Sequence, residues 1–249
     1  MDSYRADTYG EAFADVYDRW YDGVSDIDGT VATIGRLANG RPVLELGVGT
    51  GRLALPLAAE GVPVSGIDAS PSMIERLRAK PGGADIHVVV GDMAVLDDIE
   101  VSSYAVVFAA FNTFFNLPTE ATQAACLARV HDVLVPDGRL AIEAFLPSPE
   151  PAAPEGRLEV RGVEIDRVLL TATWRDPHTN IVAGQHLELS ADGIRLRPWL
   201  LRYSTPDSLD ALASRAGFDL ESRHAGWRGE PFDPDGGRHV SIYRRTTIP

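Results

Sequence analysis

Short apolar runs alternate with amphipathic stretches along the first 146 residues of the chain. The runs "VLEL", "VSGID", "HVVV" and "YAVVFA" are rich in valine and isoleucine, and stretches with helical spacing separate several of them. Continuous apolar runs of this length are typical of strands that are buried on both faces, with helices crossing between them. The pattern predicts an α/β fold with a doubly wound, mostly parallel sheet.

Helix start and stop signals support the same interpretation. Ser70 followed by Pro71 predicts an N-cap and a first helical position, and Thr205 followed by Pro206 repeats this signal near the end of the chain. Gly217 predicts the end of that last helix. Two strands follow it, "FDLESRHAGW" and "RHVSIYRR", which makes seven strands in the predicted sheet.

The pattern changes at residue 147. The segment "PSPEPAAPEG" predicts a stiff linker because it contains four prolines, Pro147, Pro149, Pro151 and Pro154. Three long strands are expected after it, over 158–176, 180–190 and 194–203, with turn signals at "DPHTN" and "ADG" between them. This spacing is typical of an antiparallel meander.

These patterns define the expected domain organisation. Residues 1–146 and 204–249 are predicted to form one α/β domain. Residues 147–203 are predicted to form an antiparallel β insertion after strand five that serves as a lid or as an acceptor pocket.

Composition limits the possible partners. The formal net charge is −13 and the basic residues are scattered, so a nucleic acid is not expected as a partner. No apolar run approaches the roughly 18 residues of a membrane span, and the N-terminus lacks the pattern of a secretory signal, so no membrane partner and a cytoplasmic location are expected. The single cysteine, Cys126, has the helical spacing of a core residue, and no cysteine-based zinc site is available.

The segment "VLELGVGTG" carries the clearest chemical signal. Gly47, Gly49 and Gly51 directly follow the first strand, and Asp68 lies 21 positions after Gly47, where a carboxylate can accept hydrogen bonds from both hydroxyls of a ribose. A dinucleotide site has the spacing G-x-G-x-x-G, which is absent here. Glu45 would repel a pyrophosphate and favour a cationic ligand. An NAD-dependent oxidoreductase is therefore the less favoured interpretation.

Five segments resemble the class I S-adenosylmethionine-dependent methyltransferases, in the order of that family: "VLELGVGTG", "VSGIDASPSMI", "VVVGDM", "YAVVFAAFNTFFNL" and "VLVPDGRLAIEAF". The resemblance covers residues 41–146, and the segment "RYSTPDSLDALASRAGFDLES" is similar to the family's last helix and sixth strand. It implies a Rossmann-like fold that binds S-adenosyl-L-methionine and releases S-adenosyl-L-homocysteine. No metal is implied.

The resemblance also implies roles for particular residues. The glycines would approach the methionine and ribose parts of the ligand, Asp68 would bind the ribose, and the carbonyl near Ala110 would meet the ammonium. Ala69 and Met73 would flank the adenine, while Asp92 and Met93 would bind its edge. In "YGEAFADVYDRWYDG" an aromatic helix would place a tyrosine over the ligand carboxylate. The candidates there are Tyr17 and Tyr21, which lie four apart, with Arg52 as the alternative partner.

The acceptor side is less well defined by the sequence. His239 and Arg238 are expected near the rim of the crevice, Glu143 ends strand five, and His186 lies on the insertion. The three candidate catalytic groups are thus His186, His239 and Glu143. The candidate acceptor residues, together with Arg238, are Asn112, Phe115, Phe145, Trp174, Trp199 and Tyr203.

The resulting hypothesis is methyl transfer to a nitrogen or oxygen atom of a small-molecule metabolite. The tyrosine helix and the β insertion are similar to those of sugar-amine and glycine N-methyltransferases, while an oxygen acceptor stays open. The alternative is a member of the fold that binds the adenosyl ligand without methylating. The sequence also leaves the oligomeric state open, with a homodimer as one option.

Overall fold

The computed structural model describes residues 3–147 and 153–246. Seven strands form the main sheet: β1 Val43–Leu46, β2 Val64–Asp68, β3 His87–Val90, β4 Tyr104–Ala109, β5 Leu134–Phe145, β10 Phe218–His224 and β11 Arg238–Arg245. Their spatial order is β10-β11-β5-β4-β1-β2-β3. All neighbours pair in parallel except β11, which is antiparallel to both β5 and β10. The predicted doubly wound, mostly parallel sheet is confirmed.

Seven α-helices lie in the described ranges: α1 Thr8–Phe13, α2 Tyr17–Trp20, α3 Ile27–Ala38, α4 Ala54–Ala59, α5 Pro71–Arg78, α6 Glu120–Val133 and α7 Pro206–Arg215. The predicted caps are confirmed, because the hydroxyl of Ser70 accepts from the Met73 amide and that of Thr205 accepts from the Ser208 amide. Gly217 follows α7 with φ +82°, as a helix-ending glycine does. Helix α3 was not predicted from the sequence.

The expected aromatic helix near the N-terminus is two short helices, α1 and α2, joined by a turn. Tyr17 and Tyr21 still lie on one side, with ring centroids 4.8 Å apart. Phe13 is fully buried and stacks on Tyr9 at 4.5 Å. We call residues 3–21 the cap, because they cover the edge of the sheet at which the parallel strands end.

A second, antiparallel sheet of four strands follows β5. Its strands are β6 Glu155–Val163, β7 Arg167–Asp176, β8 Ile181–Ser190 and β9 Gly193–Arg202, in sequential order. The prediction of one strand over 158–176 is wrong, since a hairpin divides it. That turn contains no glycine or proline, and it is closed by the Glu164 amide, which donates to the Arg167 carbonyl. Of the predicted linker, Pro149 and Pro151 lie outside the described residues.

The two faces of the four-stranded sheet differ in character. We call the face that meets the cap the inner face; it carries Thr171, His186, Arg197 and Trp199. The opposite, outer face has one polar side chain, Gln185, in its central region. Its members in that region are Leu158, Val160, Val163, Val168, Leu170, Ala172, Trp174, Ala183, Gln185, Leu187, Leu189, Ile194, Leu196, Pro198 and Leu200, and Asp176, Ile181 and Arg202 lie on the same face at one end.

Helices cover both faces of the main sheet, as the doubly wound pattern requires. On one side α6 and α7 pack with β4 and β5, and on the other α3 and α4 pack with β1 and the Trp227 ring. Cys126 is fully buried in the first of these cores. Among the described residues no helix is both long and apolar enough to cross a membrane, and no group of side chains is arranged to hold a metal ion.

Candidate functional site

The glycine-rich turn after β1 forms the floor of the site. Gly47 and Gly49 have φ values of +65° and +54°, in the left-handed region that favours glycine. A Cβ on Gly47 would lie 2.5 Å from the Thr113 side chain, so no larger residue fits there. Gly49, by contrast, faces open space, with its own turn's backbone as the nearest neighbour at 3.9 Å. The turn thus leaves room for a ligand against its backbone.

Gly51 has a different role from the predicted ligand contact. A Cβ at this position would lie 2.9 Å from the Leu77 side chain of α5. Its φ of +80° likewise requires glycine. Gly51 therefore permits close packing of the turn on α5 and does not line the cavity described below.

Asp68 closes the turn from the end of β2. Its carboxylate accepts hydrogen bonds from the Gly49 amide at 2.8 Å and from the Ser70 amide at 2.9 Å. Burial raises the pKa of Asp68 above its ordinary value, although these two amides oppose the effect. The carboxylate is held in place with lone pairs left for the hydroxyls of a ligand.

Glu45 lies beneath the same turn and is 5% exposed. One of its oxygens, Oε2, is buried without a hydrogen-bond partner. Its pKa is raised to about 8, chiefly by burial; Arg52 opposes this rise and the nearby Asp68 adds to it. A buried carboxylate oxygen without a partner fits a cationic ligand, which would both pair with it and lower that pKa.

A cavity of about 190 Å³ opens above the turn at the carboxyl ends of β1, β2 and β3. It brings together most of the predicted cofactor residues. Asp92 lies on its wall, with Oδ1 accepting from the Ala94 amide at 2.8 Å. The other predicted residues on its wall are Gly47, Gly49, Asp68, Ala69, Met73, Met93 and Tyr17.

The cap supplies residues that the sequence did not identify. Tyr9 and Tyr4 line the cavity from above, and Thr113 and Asn116 line it from the 3₁₀ turn after β4. Tyr9 donates to the Tyr21 hydroxyl at 3.1 Å. The sequence contains a signal for Tyr9, namely its spacing of four residues from Phe13. This spacing places both rings on the same side of a helix.

The cap tyrosines are neutral hydroxyls in this environment. Burial raises the pKa of Tyr17 to about 12 and that of Tyr9 well above its ordinary value, and it raises the pKa of Tyr21 as well. Arg52 lies outside the cavity wall, with its guanidinium 5.2 Å from the centre of the Phe111 ring and hydrogen-bonded to Ser25. These tyrosines can exchange hydrogen bonds with a ligand but cannot act as anionic bases near neutral pH.

Two anchors hold the cap on the main sheet. Glu11 accepts from the Ser70 and Ser72 hydroxyls at 2.6 and 2.7 Å, at the N-terminus of α5. Asp18 accepts from the Thr50 hydroxyl at 2.6 Å and pairs with Lys80 at 2.8 Å. Both anchors end on segments adjoining the cavity, so cavity and cap form one structural unit.

A third anchor joins the cap to the four-stranded sheet. The guanidinium of Arg197, 1% exposed, makes two parallel hydrogen bonds to Asp15, at 2.6 and 3.0 Å. It also donates to the Ala12 carbonyl and lies 5.2 Å from the centre of the Trp20 ring. Bidentate pairing of this kind fixes orientation as well as distance.

The edge after β4 and β5 is closed by hydrogen bonds among the predicted residues. Glu143 accepts from the Phe111 amide at 2.8 Å and lies 3.6 Å from the Arg238 guanidinium. The Asn112 side chain accepts from the Phe145 amide at 2.7 Å. The Ala110 carbonyl accepts from the Thr113 amide at 3.1 Å. Glu143 and Asn112 thus shape the edge, and a role of Glu143 in catalysis stays a prediction.

His186 and Trp199 lie together on the inner face. The His186 ring is 5.5 Å from Phe13, 5.9 Å from Trp20 and 6.2 Å from Trp199. Its Nδ1 shares a hydrogen bond of 2.7 Å with the Thr171 hydroxyl. Burial lowers its pKa to about 4, and two nearby arginines add to the effect, so the ring is neutral near pH 7.

The predicted rim position of His239 is wrong. His239 is fully buried on the α7 side of β11, and its Nδ1 bonds to the Ser241 hydroxyl at 2.8 Å. Alternation along β11 explains this, because the side chain of Tyr243 on the same face reaches Asp210 of α7 at 2.7 Å. Burial lowers the pKa of His239 to about 4.

Three predicted acceptor residues also lie elsewhere. Trp174 is 54% exposed on the outer face, opposite to His186, because it is three positions from Thr171 along β7. Phe115 and Tyr203 are core residues, 0% and 1% exposed. Phe145 packs between their rings, at 5.4 Å and 6.0 Å.

Fold and site together define an adenosyl-ligand-binding protein of the doubly wound class. A family model described as "Methyltransferase domain" matches residues 43–138. The structure of the CcbJ methyltransferase from Streptomyces caelestis is 40% identical, with a TM-score of 0.88 over 98% of this chain and 100% of that one. This chain therefore belongs to the class I S-adenosylmethionine-dependent methyltransferases.

Two further relatives are more distant. The cypemycin N-terminal methyltransferase of a Streptomyces species is 27% identical over 231 residues, which are 90% of this chain and 92% of that protein. CalS10 of Micromonospora echinaspora, an amino pentose methyltransferase solved with S-adenosylmethionine, is 24% identical, with a TM-score of 0.67 over 93% of this chain and 97% of that one. At this identity CalS10 shows the shared fold only.

Proposed function

We propose that this protein transfers a methyl group from S-adenosylmethionine to an amine nitrogen of a small natural-product metabolite. The observation that carries the choice of nitrogen is that no histidine lines the cavity in the described part of the chain, and that its two carboxylates, Asp68 and Asp92, already accept hydrogen bonds from backbone amides. The tyrosines of the cap are neutral because their pKa values are raised, and the His186 Nδ1 is engaged by Thr171. A neutral amine can attack without a base, whereas a hydroxyl must lose its proton around the time of attack.

The residues of the cavity fit the methyl donor. Asp68 would hold the ribose hydroxyls and Asp92 the adenine edge, both from the cavity wall. Glu45 is not part of that wall but lies two residues before Gly47, and its unpartnered oxygen would meet the positive charge of the amino acid part. When bound, S-adenosylmethionine supplies a methyl carbon that its sulfonium has already activated. The chain's own contribution is to align the acceptor and to exclude water with the cap.

The acceptor would enter between the cap and the inner face of the four-stranded sheet. The aromatic side chains of Phe13, Trp20 and Trp199 there, with the neutral ring of His186, suit an uncharged or weakly basic organic molecule. Two relatives support this choice, since one is a cypemycin N-terminal methyltransferase and the other an amino pentose methyltransferase.

Two measurements test the proposal. Calorimetry should show S-adenosylhomocysteine binding, and Asp68→Ala should weaken it about 100-fold, whereas the exposed control Asp85→Ala should not. Turnover should then release S-adenosylhomocysteine with amine acceptors, and its rate should rise with pH until the amine is neutral. Binding without turnover on any amine library would contradict methyl transfer and support a ligand-binding role. Turnover on hydroxyl acceptors alone would contradict the nitrogen assignment.

A further inference from the structure

Asn116 lines the candidate cofactor cavity and carries an acceptor atom that no described residue uses. It lies at the end of the 3₁₀ turn Thr113–Asn116 that follows β4. Its Nδ2 donates to the Thr113 carbonyl at 3.3 Å, whereas its Oδ1 is buried without a hydrogen-bond partner in the described part of the chain. Because a carbonyl can pair only with the donor end of an amide, this contact leaves the acceptor end of the side chain free. A buried acceptor without a donor destabilises the protein unless a ligand supplies one.

The order of the strands places Asn116 at the reacting end of the cavity. Along the main sheet the carboxyl ends follow one another in the order β3, β2, β1, β4 and β5. Asp92, which would hold the adenine edge, follows β3, and Asp68, which would hold the ribose, ends β2. A donor that extends along this edge would present its sulfonium beyond the turn after β1, toward the residues that follow β4. The Thr113 side chain, which lies against Gly47, joins these two segments.

We propose that Oδ1 of Asn116 accepts a hydrogen bond from an N–H of the acceptor amine at the point of methyl transfer. This assignment rests on the proposed function and adds a catalytic residue to it. The amine lone pair forms the bond to the methyl carbon, while the bond from that carbon to sulfur breaks and its electron pair stays on sulfur. Positive charge then grows on the amine, so the N–H becomes a stronger donor and its hydrogen bond to Oδ1 is stronger in the transition state than in the ground state.

An asparagine suits this role because it orients an N–H without removing its proton. The methylated ammonium keeps that proton during the transfer and releases it to water afterwards. The same contact limits the number of methyl groups that one nitrogen receives. Primary and secondary amines offer an N–H to Oδ1, whereas a tertiary amine has none. We therefore expect methylation to stop at the tertiary amine.

Sinefungin tests the position of Oδ1 without any acceptor molecule, because this donor analogue carries an amine where the donor carries its methyl group. S-adenosylhomocysteine has no group there. Calorimetry on the full chain gives the ratio of the two affinities. We expect Asn116→Leu to lower the preference for sinefungin about 10-fold or more, because the amine loses a charge-assisted hydrogen bond. Asn116→Ala should act in the same direction, whereas Asn116→Asp retains an acceptor oxygen and should preserve or raise the preference.

Thr122→Val is the matched control. Thr122 lines the same cavity, but its hydroxyl already donates to the Thr119 carbonyl at 2.9 Å and accepts from the Thr119 amide at 3.1 Å. This variant should change both affinities alike and leave their ratio as in the wild type. Retained S-adenosylhomocysteine binding shows that each variant is folded. An unchanged ratio in Asn116→Leu and Asn116→Ala, or an equal fall of the ratio in Asn116→Asp or in Thr122→Val, would overturn the proposal.

Turnover separates the role of Asn116 from the proposed function itself. With an amine that the wild type methylates, Asn116→Leu should lower kcat about 10-fold or more at an unchanged KM for S-adenosylmethionine. A wild type that methylates no amine would contradict the proposed function, and the sinefungin ratio would still report whether Oδ1 faces the point of transfer. A kcat that survives Asn116→Leu, or a quaternary ammonium product of the wild type, would overturn the role of Asn116 alone.

Discussion

At the scale of single residues, Glu45 makes the protein without ligand less stable at alkaline pH, while its negative charge is expected to favour the binding of a cationic ligand. Its pKa is raised to about 8 by burial, above the ordinary value of a glutamate. The folded state therefore holds a proton that the unfolded state releases, and stability is lost as the pH rises toward 8 and through it. Glu45→Gln should remove this loss, so that the variant without ligand is more stable than the wild type by about 2 kcal/mol at alkaline pH.

The same substitution should weaken S-adenosylhomocysteine binding by about 10-fold or more, because the amide carries no negative charge for the ligand ammonium. Urea unfolding at about pH 5.5 and about pH 9 measures the first effect, and calorimetry measures the second. The exposed Glu60→Gln at the end of α4 serves as the control and should change neither quantity. A Glu45→Gln variant that is less stable than the wild type at alkaline pH would show that Glu45 is paired in the unliganded protein.

At the scale of elements, the cap depends on carboxylates. Hydrogen bonds from Arg197 lower the pKa of Asp15, and those from Ser70 and Ser72 lower the pKa of Glu11. Because both carboxylates have pKa values below the ordinary ones, their hydrogen bonds contribute fully to stability near neutral pH. This contribution is lost as the pH falls through the lowered pKa values. We expect Asp15→Asn to destabilise the closed cap by about 1–2 kcal/mol at pH 7, since Asp15 is partly exposed and Arg197 is buried.

The consequence for ligand binding can be measured directly. Asp15→Asn should weaken S-adenosylhomocysteine binding about 10-fold at neutral pH, and the difference from the wild type should shrink in acid, where Asp15 itself becomes protonated. The surface pair of Asp7 with Arg5 lies in the same segment and is more exposed, so Asp7→Asn is the matched control. If both variants bind alike at every pH, the anchor on Arg197 does not hold the cap closed.

The elements also show how far the sequence determines the fold. Strand and helix signals located the main sheet, because buried β-branched runs and caps such as Ser70–Pro71 are local features. The hairpin at 164–166 was missed because its turn has no glycine or proline. His239 was misplaced because the side chains of a strand alternate, and only the packed structure shows which face α7 covers. The outward position of the apolar face of the four-stranded sheet could not be predicted for the same kind of reason, because periodicity identifies the two faces of a sheet but not what packs on each of them.

At the scale of the whole molecule, the cap joins the two sheets through separate anchors. Glu11 and Asp18 tie it to the main sheet beside the cavity, and Asp15 ties it to Arg197 on β9. No residue of β9 lines the cavity in the described part of the chain. A ligand that holds the cap closed should nevertheless slow the local opening of β9, because both elements share the Asp15–Arg197 pair.

Hydrogen exchange measured with and without S-adenosylhomocysteine tests this coupling. We expect ligand-induced protection in three places: the glycine turn after β1, the cap, and strand β9. In Asp15→Ala, protection of the glycine turn should persist at saturating ligand, while protection of β9 should fall toward the unliganded level, because the turn contacts the ligand directly and β9 does not. Wild-type β9 amides that exchange at the same rate with and without ligand would show that the two sheets respond independently, and that the four-stranded sheet is a passive wall of the acceptor site.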